Sequence, residues 1–189
     1  MHLEGLWPGM LIHSQIVSCG LESNFFVRTA LLDMYSKCDL SEAVCIVFRR
    51  LPNLSAVSWN VMFTMFVQLG KHKSALELFE QMQNEGMPPN EATYPSILKA
   101  CGCARAFEQG KAIHSQLIEC GLVSDVYIGA TLIDMYASCG KVDEALIEFS
   151  KLSNRNMVSW CTIIAAAAQH GLEPLAMDLY GEMGLECPG

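Results

Sequence analysis

The chain has 189 residues, with 12 Lys and Arg against 20 Asp and Glu, a net charge of −8, and 51% hydrophobic residues. That balance excludes an affinity built mainly on neutralising phosphates. The longest uncharged run, Leu51 to Gly70, contains Pro52, Asn53, Asn60, Thr64 and Gln68, which excludes a membrane span of about 20 apolar residues.

An internal repeat governs the rest of the reading. His13 to Asp39 aligns without a gap on His114 to Gly140 at an offset of 101, and the same shift puts Ser58-Trp59 on Ser159-Trp160. Stacked repeats share one elongated core, so self-similarity sets the fold before any local signal does. Turn residues and apolar spacing divide the chain in order. Residues 1–24 are the end of one repeat, 25–55 and 56–90 are repeats of 31 and 35 residues, 91–125 and 126–156 are repeats of 35 and 31, and 157–189 is an incomplete last one.

Each repeat is predicted to be two helices, which makes the chain all-α. In residues 56–90 the first helix is expected over Asn60 to Leu69, with a break at Gly70-Lys71. The second is expected over Ser74 to Asn84, stopped by Gly86 and by Pro88-Pro89, whose rings cannot continue a helix. Ala75, Leu78, Phe79 and Met82 share one face of that helix, and Glu77, Glu80 and Glu85 occupy the other. The layout returns in residues 126–156, where Val142, Ala145, Leu146, Phe149 and Leu152 point inward and Asp143, Glu144 and Glu148 outward. No stretch alternates as a strand does.

Chemistry is sparse. The nine cysteines contain no C-x-x-C pair, so they are expected as small packing residues in a reducing compartment, without disulfides or metal. The five histidines do not gather near partners in sequence. His2-Leu3-Glu4 matches half of a zinc deaminase signature, but the P-C-x-x-C half is missing. No phosphate-binding loop or nucleophile elbow occurs. No enzyme, cofactor, metal or small-molecule substrate is expected. Glu4, with no Lys or Arg before Arg28, fits neither a signal peptide nor an Arg-rich transit peptide, so any targeting segment is expected outside this chain.

At this point the residues carry a resemblance. "AVSWNVMFTMFVQLGKHKSALELFEQMQNEGMPPN" resembles a P-type pentatricopeptide repeat, "EATYPSILKACGCARAFEQGKAIHSQLIECGLVSD" the long L-type, and "VYIGATLIDMYASCGKVDEALIEFSKLSNRN" the short S-type. The order of a partial L, then S, P, L, S and an incomplete P resembles the PLS subfamily of plant organellar RNA-binding proteins. Tetratricopeptide repeats lack the Trp-Asn opening and the alternation of 31 and 35 residues.

The resemblance implies an α-α superhelix of helix-turn-helix repeats, with first helices lining a concave side where single-stranded RNA lies at one base per repeat. It also implies roles for particular residues. The fifth residue of a repeat faces the base edge, the final residue tunes that choice, and second residues of adjacent repeats sandwich the base. Carried over, these positions are Thr29 with Ser55, Asn60 with Asn90, Pro95 with Asp125, Ala130 with Asn156, and Cys161. The walls are Phe26, Val57, Ala92, Tyr127 and Val158. The implied core is purine, pyrimidine, U, purine. Capping or solvating a helix start is the alternative role for Thr29, Asn60 and Thr131, with base reading favoured for Asn60, and Trp59 and Trp160 are expected in the core.

The expected first helices carry Arg28, Lys37 and Lys99 against Asp33 and Asp134, while the acidic residues crowd the second helices. The groove is therefore expected to be near neutral. The family implies a mitochondrial or chloroplast location, an organellar transcript as partner, and a role in RNA editing (C-to-U) or processing, with editing-complex proteins supplying the deaminase. A tetratricopeptide-like protein scaffold and a degenerate, non-binding fragment are the alternatives. The second rests on residues 25–55, where Asp39 replaces the turn Gly and Val44 stands where Ala145 permits close helix approach, an overpacking worth about 1–3 kcal/mol.

Overall fold

A computed structural model describes residues 56–152 and 155–186, with Leu11, Ile12, Gln15, Ile16, 19–21, Asn24, Phe26, Val27, Ala30 and Met34; of Val57, Ser58 and Ser124 only the backbone is described. The chain forms two compact units, Met1–Pro88 and Pro89–Gly189. The fold is all-α, and the described residues include no strand. The Asp39 turn and Val44 lie outside the described residues.

In the first unit, α1 (Ala56–Gln68) and α2 (His72–Asn84) pack as a hairpin. Both start earlier than the turn residues predict, α1 by four positions and α2 by two. Packing explains the longer α1: Trp59 in its first turn is fully buried against Phe63, ring centroids 6.3 Å apart, and Phe63 meets Phe79 of α2 edge-on at 6.1 Å. Tertiary burial recruits residues that propensity leaves undecided. Ala75, Leu78, Phe79 and Met82 are buried as the periodicity requires, while Glu77, Glu80 and Glu85 are exposed.

The second unit stacks three helix pairs: α3 (Thr93–Ala104) with α4 (Phe107–Glu119), α5 (Val126–Ser138) with α6 (Val142–Lys151), and α7 (Met157–Gln169) with α8 (Glu173–Glu186). The first helices α3, α5 and α7 lie side by side as one layer, and α4 and α6 each pack on their own first helix and on the next. The layer is tight. A Cβ built on Gly102 of α3 would sit 3.3 Å from the Met135 Cα of α5, so the absent side chain sets the helix spacing. Gly140 closes α5 in the left-handed region at φ 76°, and Arg105 takes the same conformation after α3 at φ 53°, with a Cβ that disfavours it. At the last pair, the Arg155 guanidinium lies over the rings of Phe149 (4.9 Å) and Trp160 (5.7 Å) and bonds Glu186 at 2.9 Å.

The interior also holds a polar chain that residue spacing did not foretell. His114 of α4 and Tyr136 of α5 are buried, with His114 Nδ1 2.8 Å from the Tyr136 hydroxyl. Glu148 of α6, expected to face outward, is only 8% exposed; its carboxylate lies 3.6 Å from His114 Nε2 and accepts from Lys151 Nζ at 2.7 Å. Burial pushes the His114 imidazole below its ordinary pKa, Glu148 opposing and Lys151 adding to the effect, and burial pushes the Tyr136 phenol up to about 12. His114 thus does find partners, the first of them 22 residues away in sequence.

The cysteine expectation needs a similar correction. The described cysteines are free thiols, but only Cys101 is buried, whereas Cys19, Cys103, Cys120 and Cys161 are exposed. Packing therefore accounts for few of them. Burial pushes the Cys101 thiol up to about 12, which holds it as an inert, protonated filler.

Candidate nucleic-acid interface

Among the described residues, the final residues of the proposed repeats share one local job: their side chains start the helix that follows. Asp125 Oδ1 accepts from the Ile128 N–H at 2.9 Å, and Asn156 Oδ1 accepts from the Ser159 N–H at 2.9 Å. Asn90 Oδ1 accepts from the N–H groups of Ala92 (3.1 Å) and Thr93 (3.2 Å), and its own N–H donates to Thr93 Oγ1 at 3.0 Å. In the first unit, Asn24 accepts from the Phe26 N–H at 3.0 Å. Each bond satisfies a donor that a helix start leaves without a partner, an effect worth about 1 kcal/mol. All four residues remain solvent-exposed.

Two positions after each of these caps, the second residues are exposed: Phe26 at 79%, Tyr127 at 68%, Val158 at 61%, and Ala92 as well. The fifth residues are less uniform. Asn60 and Pro95 are half-buried, Cys161 is exposed, and Ala130 is only 6% exposed. Its methyl group is packed into the fold and carries no hydrogen-bonding atom. Thr29 and Ser55 lie outside the described residues, as does the side chain of Val57. Trp59 and Trp160, one position before the fifth residues, are fully buried core residues.

Between α5 and α7 the first-helix layer opens into a groove of about 450 Å³, lined by Asp134, Ser138, Val158, Cys161, Thr162 and Gln169 over a floor of alanines. Of the residues singled out in the sequence, it brings together Val158 and Cys161; Asp125, Tyr127, Ala130 and Asn156 do not line it. Asp134, Ser138, Thr162 and Gln169 were missed as site residues. The signal for Asp134 was the four-residue step from Ala130, which returns to the same helix face one turn on.

The groove is close to neutral. Lys99 Nζ of α3 donates to Asp134 Oδ2 at 2.9 Å, and this bond raises the Lys99 pKa. The Thr162 hydroxyl donates to the Val158 carbonyl at 2.8 Å, leaving its oxygen as an acceptor. Small apolar floor residues with neutral or neutralised polar groups suit a planar, uncharged ring with donors and acceptors on its edge. Among the described residues, no three His, Cys, Asp or Glu side chains are grouped to hold a metal, and no helix is long and apolar enough to cross a membrane.

Comparison with known proteins gives a consistent picture. Residues 54–103 match the PPR repeat family pattern, and residues 131–147 and 158–186 match the PPR repeat pattern. The chain is 34% identical over 94% of its length to the mitochondrial pentatricopeptide repeat-containing protein At3g09040 of Arabidopsis thaliana, covering 17% of that protein. It is 35% identical over 94% of its length to the chloroplastic At4g18520 of the same plant, covering 29% of it. The chain thus spans less than a third of these relatives. Among solved structures, the pentatricopeptide repeat protein PPR10 in complex with an 18-nt psaJ RNA element superposes with a TM-score of 0.69 at 22% identity, over 83% of this chain and 24% of that one. PPR10 from maize superposes with a TM-score of 0.68 at 20% identity, over 87% of this chain and 25% of that one. These likenesses establish the α-α superhelical fold.

Proposed function

The chain belongs to the pentatricopeptide repeat family, and from that premise we propose that it binds single-stranded RNA sequence-selectively, at about one base per repeat. The observation that carries this reading is the exposure of Tyr127 and Val158, 31 residues apart, each two positions after a capping Asp or Asn. Apolar side chains held in solvent at repeat-equivalent positions gain by stacking on bases, and the cap beside each retains a polar atom for a base edge. Asp125 keeps a carboxylate oxygen and Asn156 an amide NH₂ beyond their capping bonds.

Within this proposal the repeats run S (25–55), P (56–90), L (91–125), S (126–156) and incomplete P (157–189), after a partial L (1–24). Asn60 with Asn90 reads a pyrimidine, C over U. Thr29 with Ser55 reads a purine, Pro95 with Asp125 reads U, and Asn156, paired with an Ala130 that has no hydrogen-bonding side-chain atom, leans to A. The biological setting is an organellar transcript in a mitochondrion or chloroplast, as the names of the relatives suggest. There the chain serves as the recognition segment of an RNA-editing or RNA-processing factor, with the deaminase supplied by other residues or another protein. Affinity of this segment alone is low, because stacking worth about 1–3 kcal/mol per base must offset an association cost of about 4–15 kcal/mol.

A random-library RNA selection on the chain, at protein concentrations high enough to capture weak binding, tests the proposal. An enriched core with a pyrimidine at the Asn60 nucleotide, shifted towards purine in Asn60→Thr, supports it. No enrichment, or a partner peptide captured in preference to RNA, rejects it.

A further inference from the structure

We infer that Asp134, and neither Ala130 nor Cys161, is the side chain that discriminates the base entering the α5–α7 groove, and that it selects bases bearing an exocyclic amine over uracil. The inference rests on the RNA-binding reading above and adds to it a specificity-determining residue outside the second, fifth and final positions.

The fifth positions beside this groove are poorly equipped. Ala130 is buried and has no polar side-chain atom, and the Cys161 thiol is a weak donor and a weak acceptor. Asp134 shares the groove lining with Cys161 and Val158, so a base stacked on Val158 with its edge towards Cys161 meets a carboxylate from the preceding first helix.

The Lys99 bond makes that carboxylate usable. An unpaired anion in the groove would repel the phosphate backbone, whereas Lys99, 2.9 Å from Oδ2, cancels the charge locally and fixes the carboxylate orientation. Lys99 engages Oδ2, and Oδ1 has no hydrogen-bond partner among the described residues. A carboxylate only accepts hydrogen bonds, so the base must donate. The amines of cytosine, adenine and guanine do so from their pairing edges. The corresponding donor of uracil, N3–H, is flanked by carbonyl oxygens that would face the Asp134 carboxylate and repel it; the U assigned to Asp125, whose carboxylate already accepts from the Ile128 N–H, rests on the family resemblance and not on this chemistry. Ser138 and Gln169 both donate and accept, so they support any base and discriminate among none.

The test is a random-library RNA selection, followed by anisotropy titrations on the best sequence and the three base variants at each of its positions, with the wild-type chain, Asp134→Asn, Lys99→Met and Asn60→Thr. The wild type is expected to disfavour uracil about tenfold at one nucleotide, the hydrogen-bond equivalent of about 1.4 kcal/mol. Asp134→Asn, which supplies a donor for a uracil carbonyl, should abolish that discrimination at that nucleotide only. Lys99→Met should weaken all sequences alike, and Asn60→Thr should move preference at a different nucleotide. A wild-type chain that selects RNA, with Asp134→Asn giving the same base profile or only a uniform loss of affinity, overturns this inference and leaves the binding reading intact. A wild-type chain that selects no RNA overturns both.

Discussion

Replacing Tyr136 with Phe removes a single oxygen from the interior, and its effect can be worked out from the partners it leaves behind. That oxygen lies 2.8 Å from His114 Nδ1, and both side chains are shielded from water. With Nε2 turned to Glu148 at 3.6 Å, the neutral imidazole carries its proton there and accepts from Tyr136 at Nδ1. The variant strands a buried acceptor, at a cost of about 1–3 kcal/mol. For a chain of this size each kcal/mol moves Tm by about 2–4 °C, so a drop of about 2–12 °C is expected in thermal unfolding at neutral pH. The acid side supplies a second reading. Burial depresses the folded His114 pKa, so the unfolded chain takes up a proton first as pH falls below about 6.5. The stability tied to neutral His114 is full above that pH and is lost as pH falls through the folded value. His114→Gln, lacking the titrating group, should lose less stability than wild type between about pH 7 and pH 5. Glu148, Lys151 and Tyr136 are the polar groups facing the imidazole, so each variant is to be compared with wild type at the same pH. A Tyr136→Phe chain melting with wild type, or a His114→Gln chain keeping the full acid slope, would refute the assignment.

Arg105→Gly should stabilise the chain by about 0.5–1 kcal/mol, because glycine removes the left-handed penalty at φ 53° and returns part of the gain as unfolded-state entropy; urea titration at pH 7 checks it, and a loss of stability would show that the arginine side chain outweighs its backbone. RNA affinity should fall only weakly with salt, with log K against log [salt] shallower than about −2, since each neutralised phosphate on a single strand contributes about −0.7. A slope of about −4 in anisotropy titrations would mean that cations, and not stacking, carry the binding.

The sequence disclosed the helix pairs because each buries a stripe that repeats along the chain. Ala75, Leu78, Phe79 and Met82, and likewise Val142, Ala145 and Phe149, are inside as their spacing requires. Helix starts were less legible, since nothing local says that Trp59 will be fully buried and draw its whole turn into α1. What stayed hidden are contacts between distant positions. Glu148 satisfies every local sign of an outward residue, and its burial depends on a histidine 34 residues earlier. Asp134 was visible as a charge on a first helix, but its pairing with Lys99, 35 residues away, required the layer of helices. Ala130 illustrates the converse: a motif position transfers by number, while its exposure does not.

The helix caps at Asn90, Asp125 and Asn156 carry a consequence for how such an array can change over time. A position obliged to start a helix accepts few side chains, chiefly Asn, Asp, Ser and Thr, and anything longer or apolar forfeits about 1 kcal/mol in every repeat where it occurs. Substitutions within that small alphabet exchange donors for acceptors almost without penalty to folding. Under the proposed RNA-binding reading, drift at these sites is thereby channelled into the very chemistry that distinguishes one nucleobase from another.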